Sequence, residues 1–254
     1  MKVAFWDGIR SCDDVTGYIA AISTFCAIKY EKKVFLGSNH ISSKTLKDYF
    51  FGSFIKSGGE RILRYMFYGE PEYFRQLWER QTEKEFLTLE GIHVVPLPDL
   101  MERHMFYHNV RSKTLYFMDV SGGMNASVRL ALEEADKVVV FLPQNIIEIR
   151  RFFDMYSSII PKAIFLILNY REDRKGDPAF LCRKYGLHGK HVGIFPHCED
   201  FSGACEMGSV ERFVRENFQL TEEHENFDFM RCIARAARMI LGYEEEKEEH
   251  ELSE

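Results

Sequence analysis

The stretch Ile9 to Tyr18, IRSCDDVTGY, places two adjacent carboxylates, Asp13 and Asp14, and a hydroxyl, Thr16, between an apolar run, KVAFW, and a helical pattern, IAAISTFCAIKY. In an α/β protein the turn from the first strand into the first helix faces the ligand crevice, and a glycine-rich form of that turn cradles phosphate. This turn has no lysine and two acids. Carboxylates there repel phosphate, but they complement the positive end of the helix that follows. Four further stretches follow apolar runs and carry polar groups: Gly37 to His40, Asp119 to Gly123, Asn169 to Arg171 and Pro196 to Asp200.

Other constellations carry less. His188, His191, His197 and Cys198 are of zinc-ligating type. The run from His191 to Pro196 reads as a strand, which holds its ends roughly 18 Å apart and argues against one tetrahedral site. Ser57 to Glu60, SGGE, has the form of an anion-binding turn and equally of a plain helix start. The basic residues of KYEKK (Lys29 to Lys33) and REDRK (Arg171 to Lys175) are interrupted by acids, so specific nucleic-acid binding is not expected. No serine or cysteine stands in a nucleophile–base pattern.

These residues need elements to position them. The runs KVAFW, KKVFLG, IHVVPL, TLYFMDV, KVVVFL, AIFLILN and HVGIFP are short and apolar, which fits strands buried on both faces of a parallel sheet. Helical patterns alternate with them, so the expected fold class is α/β, a doubly wound, mostly parallel sheet flanked by helices. NASVRLALEEAD and NIIEIRRFFDMYSSI read as helices that open on asparagine N-caps. In the second, Ile146, Ile149, Phe152, Phe153 and Tyr156 share a face. Aromatic density between residues 44 and 80 predicts a helical insertion.

Asn226 to Tyr243 reads as a last amphipathic helix, with Phe229, Ile233, Ala237, Ile240 and Leu241 on one side and Arg231, Arg235 and Arg238 largely on the other. It is expected to dock on the protein's own sheet, with peripheral membrane contact as the weaker alternative. The pattern predicts one domain over residues 1–243 and a disordered acidic tail over 244–254. The 254 residues carry a net charge of −6, which disfavours a broad nucleic-acid footprint. No run approaches the length of about 18 apolar residues that spans a bilayer, and no signal peptide is evident. The expected location is cytoplasmic, with six reduced cysteines, most of them buried.

Taken in order, KVAFW, the VT that opens the first helix, YFMDVSGGMNASVRLALEEADKVVVFLPQN, FLILNY and GIFPHCEDFSGACEMGSVERFVREN resemble the ParA/MinD superfamily of deviant Walker A ATPases. More narrowly the chain resembles the TadZ/CpaE type encoded in tight-adherence pilus and secretion loci. The resemblance runs from about Met1 to Asn217 and is weakest between Ser43 and Glu90. In that family the loop reads K-G-G-x-G-K-[ST]. Carried over, Arg10 takes the place of the signature lysine, Ser11, Cys12 and Asp14 replace glycines, Asp13 fills the variable place, Val15 replaces the phosphate-binding lysine, and Thr16 matches.

Losing the lysine removes roughly 1.5–3 kcal/mol. An aspartate about 5 Å from a phosphate charge adds repulsion of about 3 kcal/mol at an effective dielectric of about 20. Together they imply about thousandfold weaker ATP binding. The second strand ends FLGSNH, without the aspartate common there in the family.

Asp119 matches the Walker B aspartate and Gly123 the switch glycine, so the resemblance implies a weak Mg²⁺ site at Thr16 and Asp119. The competing readings are a turn cap for Asp119 and an early helix residue beside an Asp13 or Asp14 cap for Thr16. Asn169 matches the asparagine that reads adenine, with an ordinary turn residue as the alternative, and Pro196 lies in the loop over the base. Arg10, at a place that crosses the dimer interface in relatives, is a candidate partner for Asp13 or Asp14 of the same or an opposing chain.

The resemblance therefore implies a pseudo-ATPase with no catalytic residues and either no cofactor or weakly bound ATP with Mg²⁺. Its implied role is a localisation or scaffolding factor of a pilus or secretion assembly, with protein partners there, a homodimer, and recruitment to the inner membrane face or cell pole. The alternatives are a weak ATPase or ATP-dependent dimerisation switch, and a partitioning or polar positioning factor contacting DNA or membrane.

Overall fold

The computed structural model describes residues 1–8, 15–30, 32–38, 49, 92–96, 114–120, 124, 126–172, 178–187 and 189–243. Seven strands run through them: β1 (Lys2–Trp6), β2 (Lys33–Ser38), β3 (Ile92–Pro96), β4 (Thr114–Val120), β5 (Lys137–Pro143), β6 (Ala163–Tyr170) and β7 (Val192–Pro196). They form one sheet in the order β3-β2-β4-β1-β5-β6-β7. Every pairing is parallel. Each strand coincides with one of the seven apolar runs of the sequence to within two residues at either end.

The described helices are α1 (Val15–Tyr30), α2 (Ala126–Glu134), α3 (Ile146–Tyr156), α4 (Pro178–Tyr185), α5 (Glu199–Met207), α6 (Val210–Glu216) and α7 (Phe227–Leu241). Strand alternation divides the interior into two cores. Val3 and Phe5 of β1 face a layer built from α1, α5, α6 and α7. Ala4 and Trp6 face α2 and α3. This two-sided burial is why the strands read as unbroken apolar runs.

Helix α1 is apolar almost all round because it is covered twice, by the sheet on one side and by α6 and α7 on the other. Its buried hydroxyls are satisfied within the helix, Ser23 donating to the Ile19 carbonyl at 2.6 Å and Thr24 to that of Ala20 at 2.9 Å. Gly17 is required by close packing, since a Cβ there would lie 2.5 Å from Cys205 Sγ and 3.2 Å from the Tyr49 ring. Cys26 and Cys205 are buried, and burial pushes the Cys26 thiol up to about 12.

Asn145 caps α3 as expected, its Oδ1 accepting from the Ile147 N–H at 3.0 Å and the Glu148 N–H at 3.4 Å. Ile149, Phe152 and Phe153 are buried beneath it. The last helix, α7, docks on the protein's own sheet with Phe229, Ile233, Ala237 and Ile240 buried. Its arginines depart from the expected solvent face. Arg231 is exposed, but Arg235 and Arg238 are half-buried and line a cleft at the amino end of the sheet. The 44–80 insertion, apart from buried Tyr49, and the 244–254 tail lie outside the described residues.

Candidate functional site

The sheet order reverses at β1, which lies between β4 and β5, so ligands of such a sheet belong at the carboxyl ends of these central strands. Register brings Phe5 of β1 and Ser38 of β2 level with Asp119 of β4. β1 ends on Trp6, whose ring packs against Phe152 and Tyr156 at centroid distances of 5.7 and 4.9 Å. Gly8 follows closely enough that a Cβ there would stand 2.8 Å from that indole.

Thr16 lies in the first turn of α1, and its Oγ1 donates to Asp119 Oδ2 at 2.9 Å. Asp119 is 1% exposed, so its carboxyl is withdrawn from water and, among the described residues, accepts from that hydroxyl. Burial pushes its pKa up to about 7, against the hydroxyl bond, which lowers it, and with a smaller upward contribution from the charge of Asp7 just beyond β1. Both donors are hard oxygens of the type Mg²⁺ prefers. A divalent cation here would keep Asp119 ionised, which the apolar surroundings oppose. The donor set fits a magnesium site in which Thr16 and Asp119 hold the ion directly or through water.

Asn169, at the end of β6, has a φ of 52°, in the left-handed region that asparagine tolerates better than most residues. Its Oδ1 accepts from the Tyr18 hydroxyl at 3.3 Å, tying the end of β6 to the second turn of α1. The β6–β7 register is irregular between Ile167 and Tyr170, and the ladder resumes at Tyr170 opposite Pro196. Asn169 and Pro196 therefore share one rim. Gln144, just past β5, braces that rim by a reciprocal pair with the Arg171 backbone, each bond 2.8 Å.

Val15 is 8% exposed and belongs to the core that α1 makes with the sheet. Its side chain is packing material. The structure thus joins Thr16 to Asp119 and places Asn169 beside Pro196, while Arg10, Asp13, Asp14 and Gly123 lie outside the described residues. Asp7, Tyr18 and Gln144 were not singled out from sequence. Tyr18 had a signal, a phenol in an apolar helix that needs a hydrogen-bond partner. Among the described residues no group of three His, Cys, Asp or Glu side chains can hold a metal, and β7 lies between His191 and His197.

No protein-family model and no curated protein sequence matches the chain. Solved structures match it by shape. A chain of the MinC:MinD cell division protein complex of Aquifex aeolicus superposes with a TM-score of 0.61 at 18% identity, covering 95% of this chain and 96% of its own. The septum site-determining protein MinD of Pyrococcus horikoshii, complexed with Mg-ADP, gives 0.65 at 8% identity over 94% and 96%. A ParA family ATPase of Chlorobium tepidum gives 0.64 at 10% identity over 92% and 98%. This chain has the MinD/ParA fold. The likeness spans nearly the whole of each of those chains.

Proposed function

We propose that this protein is a catalytically impaired relative of the MinD and ParA ATPases that acts by localising or scaffolding a bacterial pilus or secretion assembly, in the manner of TadZ/CpaE-type proteins. The observation that carries the reading is Val15. At the place where the family motif sets its phosphate-binding lysine, this chain has an apolar side chain packed into the core. A cation in that position neutralises triphosphate charge, and valine supplies none. Asp13 and Asp14 alongside it add negative charge to the same turn in sequence. The TadZ/CpaE resemblance supplies the assembly, and protein partners accord with the A. aeolicus MinD neighbour, which is in complex with MinC.

A second reading rests on the retained pair. Thr16 and Asp119 are still joined, and the Asn169–Pro196 rim is still present, so a weak nucleotide-binding switch is the alternative. Magnesium, if bound, would supply positive charge beside a phosphate there. Thr16 and Asp119 would hold it, and Asn169 would present its amide to the base.

Calorimetric titration with Mg·ATP and a slowly hydrolysed analogue separates the two. The expected result is no binding tighter than millimolar, with unchanged traces for Asp119→Ala and Asn169→Ala. Micromolar binding abolished by Asn169→Ala establishes the switch in its place. The scaffold role is tested by copurification of the tagged chain with pilus-assembly components from its own cells, and their absence from the purified material counts against it.

A further inference from the structure

At the opposite pole of the sheet, away from Asp119, the amino ends of β5 and β6, the short helical turn before β7 and the end of α7 enclose a cleft of about 730 Å³. Among the described residues five cations, Lys137, Lys162, Lys190, Arg235 and Arg238, line it with a single carboxylate, Asp136. Several of these cations meet neutral acceptors. Lys137 Nζ donates to the Met239 carbonyl at 2.7 Å, Lys162 Nζ to the Glu133 carbonyl at 3.0 Å, and Arg235 to the Gly189 carbonyl at 3.2 Å. For Lys137 and Lys162 the carbonyls orient the ammonium without cancelling its charge. Arg238 Nε is buried without a hydrogen-bond partner among the described residues, so the cleft holds donor capacity that an acceptor would use.

The chain carries its own source of carboxylates at the lip of this cleft. Tyr243 is part of the lining, and Gly242, in the left-handed conformation at φ 72°, ends α7 there. The next eleven residues, EEEKEEHELSE, hold seven glutamates and one lysine, a net −6 that equals the net charge of the whole chain. Residues 1–243 are therefore neutral overall, and the cleft is a concentrated positive region on a neutral body. A segment of this length reaches more than 30 Å when extended, at about 3.3 Å per residue, ample to enter a cleft it adjoins. Tethering places its carboxylates at effective concentrations in the millimolar range.

We propose that the basic cleft between β5, β6 and α7 is a carboxylate-binding site whose occupant is the chain's own acidic segment, Glu244–Glu254. The contact is electrostatic and reversible, and it screens the cleft from other polyanions. It stands independently of the nucleotide question, because no residue of the Asp119 site takes part.

The test uses the full chain and a glutamate-specific protease, with mass spectrometry resolving each cut. At about 20 mM salt, where screening is weak, cuts after Glu244 to Glu251 should be at least about fivefold faster in Lys190→Gln/Arg238→Gln than in the wild type. At about 500 mM salt the two should converge. Cuts at the exposed turn residues Glu222 and Glu223 serve as the internal reference. Lys190→Gln alone, at an exposed position, guards against a folding defect of the double variant and should give an intermediate rate.

A labelled peptide of the tail sequence provides the second arm. It should bind a full chain carrying Glu244→Gln, Glu245→Gln, Glu246→Gln and Glu248→Gln about tenfold or more tightly than the wild type, because its competitor has been neutralised. Equal tail-cleavage rates in wild type and variants at low salt overturn the proposal. So does a tail-neutralised chain that ignores the peptide and binds inorganic phosphate, duplex DNA or anionic vesicles instead.

Discussion

Replacing Asp119 by asparagine isolates the cost of ionising a carboxyl inside this sheet. The group titrates at about 7 against an ordinary 3.8 because it is fully buried. At about 1.4 kcal/mol per pH unit the difference amounts to about 4 kcal/mol. Its sign follows from proton uptake. Between the two values the folded chain keeps a proton on Asp119 that the unfolded chain has released, so stability falls as pH rises through this window. Below the unfolded value both states are neutral, and above about 7 the full penalty is in place. Asparagine matches the shape of aspartate and still offers Oδ1 to the Thr16 hydroxyl, so Asp119→Asn removes the penalty without opening a cavity. The stability gap between variant and wild type should widen by about 3 kcal/mol from pH ~5 to pH ~8. For a chain of this length that corresponds to roughly 6–12 °C in Tm. Urea denaturation followed by circular dichroism across that range reads it directly. A gap that stays constant with pH refutes the reasoning, because it means Asp119 ionises as readily in the fold as in water.

Two other substitutions probe the elements that hold the site. Gly17→Ala drives a methyl into Cys205 Sγ and should cost roughly 1–3 kcal/mol by thermal denaturation. Adding Cys205→Ala should recover part of that loss, and a Gly17→Ala variant as stable as the wild type would show that the α1–α5 contact is loose. Asn145→Ala strips the cap from α3 and should cost about 1 kcal/mol by the same measurement.

The sheet was legible because burial on both faces leaves an unmistakable record. A strand such as KVVVFL has no polar position, and its length excludes a helix of ordinary size. Asn145 was legible as a cap for an equally local reason. Long-range consequences were not. The three arginines of α7 look solvent-facing on a helical projection, yet the α7 docking angle carries Arg235 and Arg238 over the amino ends of β5 and β6, where Lys137 and Lys162 already stand. No periodicity in one helix reports what another strand presents to it. The same limit applies at the carboxyl end. Thr16 and Asp119 were paired only through a family resemblance, whereas the 2.9 Å bond between them depends on a β1–β4 register set more than a hundred residues apart. Val15 illustrates the converse. Its sequence place suggested only a missing lysine, and the residue itself is buried in the core that α1 makes with the sheet.

The burial of Val15 bears on whether the fold needs a ligand at all. The positive end of α1 is a phosphate seat in proteins that bind nucleotide through such a turn. Here the helix is held by its own packing, with buried residues running from Val15 to Ala27 between the sheet and α6 and α7. Anchored in this way, α1 keeps its position whether or not an anion sits at its start. Mg·ATP should then add little stability. With ligand at about 5 mM, a dissociation constant of about 5 mM raises the unfolding free energy by about 0.4 kcal/mol, whereas about 10 μM raises it by about 4 kcal/mol. For a chain of this length these correspond to about 1 °C and roughly 8–15 °C in Tm. A thermal scan with and without Mg·ATP distinguishes them in one experiment. A shift near the upper value would mean that the turn still grips phosphate through its backbone, and that Val15 in the core is compatible with a working site.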